Sequence, residues 1–559
     1  MSITITPTNE TMKPRMFIGE SLSFRKIVAA TGVTSGIIAM MAEPMIGEAF
    51  IKYSVISLIA LFALASCDGE KLELNPTSAM SGASLMETGN SALVPLNGIY
   101  RSMYTAQNHE SFGPMSFNFM NDAMAEDMVM AAGGSGWFEW DVLYRFKNYF
   151  TSTGERCYTI WNMHYTWIAN ANYILAAEET MQGETKEVGY AIGQAYAIRA
   201  YSYFMLAQNY ARTLVGHENE PCVPIYTEPT TPETEGQPRA TVRQVYDQID
   251  SDINKAVEYL KGTTQKHPSH ISYATALGLK ARIALVENNW QVAKDAAHDA
   301  INASGKKILH ISDFYGVNDC KAGNVLWGFE IKADHATKYA SFFSHLDTIV
   351  SYGTGTPKTI NRVLYNKMGT RDERRAWWNP SSKYNVRNDA GNVISGYEND
   401  KFHFSNPKDW TGDYVMMRQE ELYLMAAEAE CRLGDEASAK ADLMELMKVR
   451  DPGYTCEKTG TALGKTSNEE TGSLLEEIIT QRRIELWGEY GRLYDLKRLH
   501  QGFRRTAEQG WCVSSYRLAN RPTDDPECYI WVFLLPQAEF DGNVNMTLEN
   551  DQNPTGDYK

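Results

Sequence analysis

Apolar residues recur every three to four positions along several long stretches of the chain, and this spacing predicts amphipathic helices. The predicted helices cover residues 86–103, 158–180 and 188–210. The last of them carries alanine repeatedly, for example at Ala191, Ala195 and Ala197, and such small side chains let two helices pack closely. The pattern therefore favours a mostly α-helical protein.

Two further stretches predict helical hairpins, in which a helix, a tight turn and a returning helix follow one another. Residues 273–301 turn at 288–289, and residues 417–450 turn at 434–435. The second stretch spans 34 residues, which is the period of tetratricopeptide repeats. The two longest helices before residue 211 are expected to form a third pair. Because the hairpins are not consecutive, we expect a tetratricopeptide-like scaffold and not a simple solenoid.

The stretches between the hairpins are rich in proline, glycine and aromatic residues, which predicts loops. The largest are residues 302–416 and 503–559, with short strands predicted at 325–332 and 531–535. Residues 108–140 are rich in glycine and methionine and are also predicted to be a loop.

One more predicted helix, residues 476–498, is crowded with charged side chains. Charges three or four residues apart on a helix lie side by side, so we expect structural ion pairs at helix spacing. The residues concerned are Arg482, Arg483, Glu485, Glu489, Arg492, Asp495 and Arg498.

Near the amino terminus, an apolar run at residues 53–66 ends in small residues followed by Cys67. The run is shorter than the ~20 residues that a helix needs to cross a bilayer, and it has the length of a signal-peptide core. The tetrapeptide LASC at 64–67 resembles the lipobox of bacterial lipoproteins, in which the signal is cleaved before a cysteine that then carries lipid. The alternative is a buried helix of a globular domain with a chance cysteine.

The lipobox interpretation predicts a leader at residues 1–66 and a lipidated tether at 67–84, with Cys67 as the first residue of the mature protein. Fifty residues precede the apolar run, which is unusual for a signal peptide. We hypothesise that translation begins nearer Met45 or Ile51, so that Lys52 supplies the positive charge of the signal.

The composition narrows the function classes. The 559 residues carry a net charge of −16, which argues against a general affinity for nucleic acid or anionic lipid, since both need basic surface. No apolar segment after Cys67 is long enough to span a membrane. The later cysteines are scattered and form no C-x-x-C pair, which argues against a zinc knuckle. Cys512 and Cys528 are close enough in sequence to suspect a disulfide.

Four sequence blocks add a likeness to a known family. They are residues 199–210 with 223–229, residues 418–434, residues 478–498 (including ITQRRIELWGEYGRLYDLKR), and residues 535–539 with 550–554. In this order they resemble the signature blocks of the SusD/RagB family, the outer-membrane nutrient-binding lipoproteins of the Bacteroidetes. Gln481 stands where that family usually has glutamate, and Tyr490 where it usually has glycine.

The resemblance implies four tetratricopeptide-like helix pairs with an irregular lobe packed on them, in a SusD-like domain at residues 85–559. Its N-terminal part would cover about 85–260 and its C-terminal part about 270–559. It also implies binding without catalysis. The protein would sit on the outer membrane through its lipid, face the cell exterior, hold an oligosaccharide and deliver it to a TonB-dependent transporter.

Glycan binding calls for flat aromatic platforms, because sugar rings present apolar C–H faces with a rim of hydroxyls. The first candidates lie around the glycine cluster at 133–136, and the second candidates come from the irregular lobe. The first group is Trp137, Phe138, Trp140, Tyr144 and Asp122, and the second is Trp377, Trp378 and Trp410. The alternative is that these aromatics pack in the core or against the transporter.

Enzyme motifs are weak by comparison. The histidines form no H-E-x-x-H pattern, and the chain lacks a phosphate loop and a G-x-S-x-G elbow. Glu428 and Glu430 are predicted to point to opposite faces of their helix, which does not suit a paired-carboxylate hydrolase. We therefore predict no catalytic residues and no cofactor. A surface glycoside hydrolase and a tetratricopeptide-type assembly module are the alternative functions.

Calcium is the one ion that the sequence suggests. Asp122, Glu126 and Asp127 could bind it together with backbone oxygens, although a solvated acidic loop is favoured over a calcium site.

Overall fold

Helices dominate the computed structural model, which describes residues 85–130, 137–144, 151–231, 233–381, 385–387, 393–511 and 523–555. The leader, Cys67 and its tether lie outside the described residues, as do the glycine cluster 133–136 and Cys512. The predicted lipidation and the suspected disulfide therefore stay predictions. None of the described helices combines the length and the apolar character that crossing a bilayer requires.

The helices are numbered in chain order. They are α1 (Leu93–Ser102), α2 (Pro114–Met124), α3 (Glu139–Val142), α4 (Glu155–Leu175), α5 (Thr185–Tyr210), α6 (Val242–Leu260), α7 (Tyr273–Val286), α8 (Trp290–Ser304), α9 (Phe342–Leu346), α10 (Arg362–Tyr365), α11 (Gln419–Arg432), α12 (Glu436–Arg450), α13 (Leu474–Glu485), α14 (Arg492–Arg498), α15 (Gln537–Gly542) and α16 (Leu548–Asp551).

Both predicted hairpins are confirmed, as α7 with α8 and as α11 with α12. Ser272 caps α7 by accepting a hydrogen bond from the Thr275 amide, and Asp435 caps α12 in the same way through the Ser438 amide. Asn288 takes a left-handed backbone conformation in the first turn, with φ of 56°. The predicted third pair is confirmed as α4 packed on α5, and α8 packs against α11.

Several element predictions need correction. The helix predicted at 86–103 begins only at Leu93. The prediction also missed α6, although its apolar residues recur at helical spacing; this helix packs on α5. Residues 108–140 are not a loop throughout, because they contain α2 and a strand. The eleven residues of α2 are all buried, so this helix has no polar face that an amphipathic pattern could reveal.

The helix predicted at 476–498 is two helices, α13 and α14. The break lies at Gly488 and Gly491, whose φ angles of 81° and 102° are ones that L side chains rarely adopt. At Gly491 a Cβ atom would also lie 2.9 Å from the Tyr494 ring and 3.1 Å from Asn121, so glycine fits this position sterically.

The strands are short and lie in the loop-rich part of the chain. They are β1 (Met128–Met130), β2 (Val325–Phe329), β3 (Lys358–Ile360), β4 (Trp378–Asn379), β5 (Asn385–Arg387), β6 (Val393–Ser395), β7 (Glu398–Asn399) and β8 (Tyr414–Arg418). One antiparallel sheet has the order β1-β3-β7-β4, and β2 pairs with β8 and β5 with β6. The strand predicted at 325–332 is confirmed as β2. The strand predicted at 531–535 is not formed, because Trp531 ends a 3-10 turn (Tyr529–Trp531) and residues 532–535 are irregular.

The charged residues of α13 and α14 are ion-paired as expected, but most partners come from other elements. Glu485 contacts Arg374, Arg418 and Arg450, all of them fully buried. Only Arg498 with Asp495 is a pair at helix spacing. The ion pairs therefore tie α13 to the irregular lobe and to the α11–α12 hairpin, which helix spacing alone cannot predict.

Candidate functional site

An exposed group of aromatic rings lies where the segment before α3 meets the chain around α9. Trp137 stacks on His109, with ring centroids 4.4 Å apart and an interplanar angle of 12°. Tyr352 meets Trp137 edge-on at 6.1 Å and lies 5.4 Å from Tyr339. Trp137 is 39% exposed and Tyr339 46% exposed. We call these four residues, His109, Trp137, Tyr339 and Tyr352, the aromatic patch.

Lys338 connects the aromatic patch to a second tryptophan. Its Nζ lies 5.2 Å from the centroid of the Tyr339 ring and 5.1 Å from that of Trp410. Trp410 is half-buried, packs edge-on against Phe404 at 5.5 Å and borders a cleft next to His335. The second candidate Trp410 is thus linked through Lys338 to Tyr339, and the first candidate Trp137 is linked to Tyr339 through Tyr352.

The backbone of Phe138 explains why Trp137 faces outward. Phe138 has a φ of 69°, in the left-handed region, and its amide donates to Glu110 Oε1 at 2.5 Å. Its ring is fully buried against Phe119, with centroids 4.5 Å apart. The buried phenylalanine therefore anchors the segment and leaves the preceding tryptophan at the surface.

A second histidine, His345, fixes the main chain of His109 through a hydrogen bond. His345 is buried, and burial lowers its pKa to about 3, so its imidazole is neutral. Its Nε2 lies 2.7 Å from the carbonyl oxygen of His109. Because a carbonyl oxygen only accepts hydrogen bonds, Nε2 carries the hydrogen and donates it. This bond uses the main chain of His109 and leaves its ring to stack on Trp137.

Five of the predicted glycan contacts are corrected by their burial. Phe138, Tyr144, Asp122, Trp377 and Trp378 are each at most 6% exposed, so they present no face to a ligand. Tyr144 donates its hydroxyl to the Met124 carbonyl at 2.6 Å, and Trp378 packs against Trp487 inside the core. Large aromatic side chains contribute much stabilising free energy when they are buried, so they pack in the core even where the neighbouring residues suggest an exposed loop. Trp137, Trp140 and Trp410 stay candidates.

The acidic group Asp122, Glu126 and Asp127 is neither a solvated loop nor an arrangement that favours calcium. All three are buried, and Arg483 and Arg492 pair with Glu126 and Asp127. Burial raises the pKa of Asp122 well above its usual value, whereas at Asp127 the effect of burial is outweighed by Arg483, which lowers the pKa. The arginines supply the positive charge that a calcium ion would otherwise bring.

Glu428 and Glu430 point to different neighbours, as predicted. Glu428 binds Arg498 through both carboxylate oxygens, and Glu430 faces His298.

The sequence interpretation missed His109, Lys338, Tyr339 and Tyr352. All four lie outside the glycine-rich cluster, and three of them come from a segment predicted only as a long insertion. The one signal in the sequence was that a lysine, Lys338, directly precedes a tyrosine, Tyr339, within that insertion. Such a dipeptide is too common to identify a site.

Comparisons with known proteins identify the family. Residues 95–285 match a family model described as "Starch-binding associating with outer membrane", and residues 317–555 match the model of the SusD family. The chain belongs to the SusD family.

This SusD-family chain is similar to two proteins of Formosa agariphila, SusD-like protein P2 and SusD-like protein P38. The identities are 24% and 22%, over 81% of this chain and 91% and 92% of the relatives.

Solved structures share the fold of this SusD-family chain. A SusD-like carbohydrate binding protein from Bacteroides vulgatus superposes with a TM-score of 0.69 at 23% identity, covering 84% of this chain and 99% of that one. Surface glycan-binding protein A from Bacteroides thetaiotaomicron, in complex with laminarihexaose, gives a TM-score of 0.61 at 17% identity, covering 83% and 99%. The predicted mostly helical, SusD-like fold is thereby confirmed.

Proposed function

We propose that this SusD-family chain binds an oligosaccharide at the aromatic patch, without cleaving it, and passes it to a TonB-dependent transporter of the outer membrane. The observation that carries the proposal is the stack of Trp137 on His109 beside the exposed Tyr339 and the half-buried Tyr352. Exposed, clustered rings of this kind cost solvation free energy unless a ligand covers them.

The patch suits sugar rings in both shape and chemistry. The exposed rings of Trp137 and Tyr339 can pack against the apolar C–H groups of a sugar ring and remove them from water. The Lys338 ammonium lies 5.2 Å from the centroid of the Tyr339 ring, where it can donate to sugar hydroxyls. Trp410 and its cleft extend the surface for further sugar units.

Preorganisation favours this site over an isolated exposed ring. Trp137 is fixed by the buried Phe138 beside it and by the His109 stack, so little rotational freedom remains to be lost on binding. Lower ordering costs leave more of the contact energy as affinity.

The relatives support the ligand class and the location. The Bacteroides thetaiotaomicron neighbour binds a glycan, laminarihexaose, which agrees with the proposed ligand class. The family model that matches residues 95–285 is described as associating with the outer membrane, which agrees with the proposed location. A lipid on Cys67, which would start the mature protein, would supply the anchor at the cell surface. Delivery to a transporter follows from the family resemblance.

Calorimetry against a panel of oligosaccharides, laminarihexaose included, tests binding, and a reducing-end assay on the same mixtures tests catalysis. We expect saturable binding of at least one glycan and no release of reducing ends. Hydrolysis would favour the glycosidase alternative. Failure to bind any glycan, together with capture of a protein partner on the helical face, would favour the assembly-module alternative. Co-purification of a TonB-dependent transporter with the chain from outer membranes tests the delivery step.

A further inference from the structure

Three side chains from three helices converge at a place outside the aromatic patch. His298 comes from α8, Glu430 from α11 and Asp442 from α12. His298 Nε2 lies 3.0 Å from Glu430 Oε1 and 3.3 Å from Asp442 Oδ2. One ligand atom from each residue can be chosen so that all three lie within 4.8 Å of one another.

Two carboxylate oxygens in this cluster lack the partner that burial normally requires. Glu430 is 4% exposed, and its Oε2 is shielded from solvent without a hydrogen-bond partner among the described residues. The Oδ2 atom of Asp442 also makes no hydrogen bond to a described residue, although it lies 3.3 Å from His298 Nε2. Because leaving a buried acceptor unpaired costs about 1–3 kcal/mol, the free Oε2 atom of Glu430 points to a bound species in addition to His298.

The electrostatics of the cluster agree with this geometry. Glu430 and Asp442 both face His298, and Lys294 and Glu445 are the other charged groups that act on the cluster. Two carboxylates held together in this way repel each other, and a divalent cation between them would remove the repulsion.

We propose that His298, Glu430 and Asp442 bind a divalent transition-metal ion, with Zn²⁺ as the best fit. Zinc bonds of ~2.0–2.1 Å in tetrahedral geometry place neighbouring ligand atoms about 3.3 Å apart. The separations of 3.0 and 3.3 Å between His298 and the two carboxylates match that spacing. Calcium fits poorly, because it takes 6–8 oxygen ligands, whereas an imidazole with carboxylates suits zinc and its neighbours in the first transition row.

The fourth position would face solvent. The side chain of His298 is 38% exposed, whereas those of Glu430 and Asp442 are 5% and 14% exposed, so an ion could enter from the histidine side and keep a water ligand. Its role would be structural. Such an ion ties α8 of one hairpin to both helices of the other, and binding to the folded state alone stabilises that state.

The test uses the full-length protein, stripped with chelator and dialysed, and compares it with His298→Ala and Asp442→Asn. A matched control is His267→Ala, which removes an exposed histidine paired with a single carboxylate, Glu330, at 3.5 Å. Zinc titration by calorimetry, metal analysis after desalting and thermal unfolding with and without zinc are the readouts.

We expect the wild-type protein and His267→Ala to retain one more zinc ion per chain than His298→Ala and Asp442→Asn. Zinc should raise the melting temperature of the first two proteins, and the affinity of the two site variants should fall at least tenfold. Equal zinc content in the wild type and His298→Ala would overturn the proposal. So would a wild type that binds no zinc and whose carboxylates merely share a proton.

Discussion

The Trp137 indole lies nearly parallel to the His109 imidazole, with 4.4 Å between ring centroids. The two residues are separated by α2, a fully buried helix, and by a strand. Their stack forms because Phe138 is pulled into the core on one side and His345 bonds the main chain of His109 on the other. The exposed ring is thus positioned by buried neighbours.

Replacing His109 with alanine should weaken glycan binding about two- to tenfold. The change removes the ring that supports Trp137, and aromatic pairs contribute about 0.5–1.5 kcal/mol. The bond from His345 goes to the main chain and survives the substitution. Calorimetry checks the affinity, and His267→Ala, on an exposed histidine elsewhere, serves as the control. An unchanged affinity would show that the stack does not support the site.

Tyr339 separates stacking from hydrogen bonding. Tyr339→Ala removes a ring that is 46% exposed and should raise the dissociation constant about fivefold or more, whereas Tyr339→Phe keeps the ring and should change it less than twofold. The two variants form a matched pair for titration with the same glycan. Equal losses in both would mean that the hydroxyl, and not the ring face, makes the contact.

The sequence predicts the scaffold well because apolar spacing reports directly on helices that pack on one side. It predicts the site only in part. Trp137 and Phe138 are adjacent aromatic residues, yet the first is exposed and the second is buried. The left-handed backbone at Phe138 causes this difference, and residue type does not reveal it. Tyr352 contacts Trp137 from about two hundred residues away, with Tyr339 packed against it, and no local pattern reports such a contact.

The ion pairs show the same limit. Glu485 was correctly expected to be paired, yet its arginines come from the irregular lobe and from the α11–α12 hairpin. Helix spacing predicts neighbours on one helix surface, and it carries no information on which distant element packs there.

Glu485→Gln should destabilise the fold by ~3–5 kcal/mol, because it leaves buried arginines without their shared carboxylate. Denaturant unfolding followed by circular dichroism measures the change. The control is Glu445→Gln, which removes a surface partner of Lys448 and should have little effect. A similar small effect of both substitutions would contradict a stabilising role for the buried network.

The same carboxylate should make the protein acid-sensitive. Burial alone would raise the pKa of Glu485, but Arg450 and Arg418 outweigh it and hold the pKa well below its usual range. A carboxylate with a lowered folded-state pKa stabilises the fold at neutral pH, and this contribution is lost as the pH falls below the unfolded value of ~4.3. The unfolding free energy of Glu485→Gln should therefore depend less on pH below 5 than that of the wild type. Parallel curves would contradict this.

Lys358 predicts a rise in stability with pH of the same sign, but between about pH 7 and 10. Its ammonium is fully buried, donates to the Thr356 carbonyl at 2.9 Å, and has its pKa lowered by burial to about 7. In the unfolded chain Lys358 keeps its proton up to a pKa of ~10.4. Between pH ~7 and ~10.4 the unfolded state therefore binds more protons than the folded state, and the free energy of unfolding rises with pH.

Lys358→Met should reduce that rise by up to about 1.4 kcal/mol per pH unit. Urea unfolding between pH 7 and 9.5 measures it, with the exposed Lys448→Met as the control. Burial also lowers the pKa of Lys497 to about 7. Part of the rise in unfolding free energy with pH should therefore remain in every variant. A wild-type slope in Lys358→Met would show that this amine is charged in the folded protein.

The central claim is that the aromatic patch binds glycan, and titration of Trp137→Ala against a glycan bound by the wild type tests it most directly. The control is Tyr173→Ala, which removes a tyrosine that is 45% exposed on α4. We predict that Trp137→Ala loses at least tenfold in affinity while its melting temperature and that of the control stay near the wild-type value. Wild-type affinity in a folded Trp137→Ala variant would contradict the account and place the glycan elsewhere.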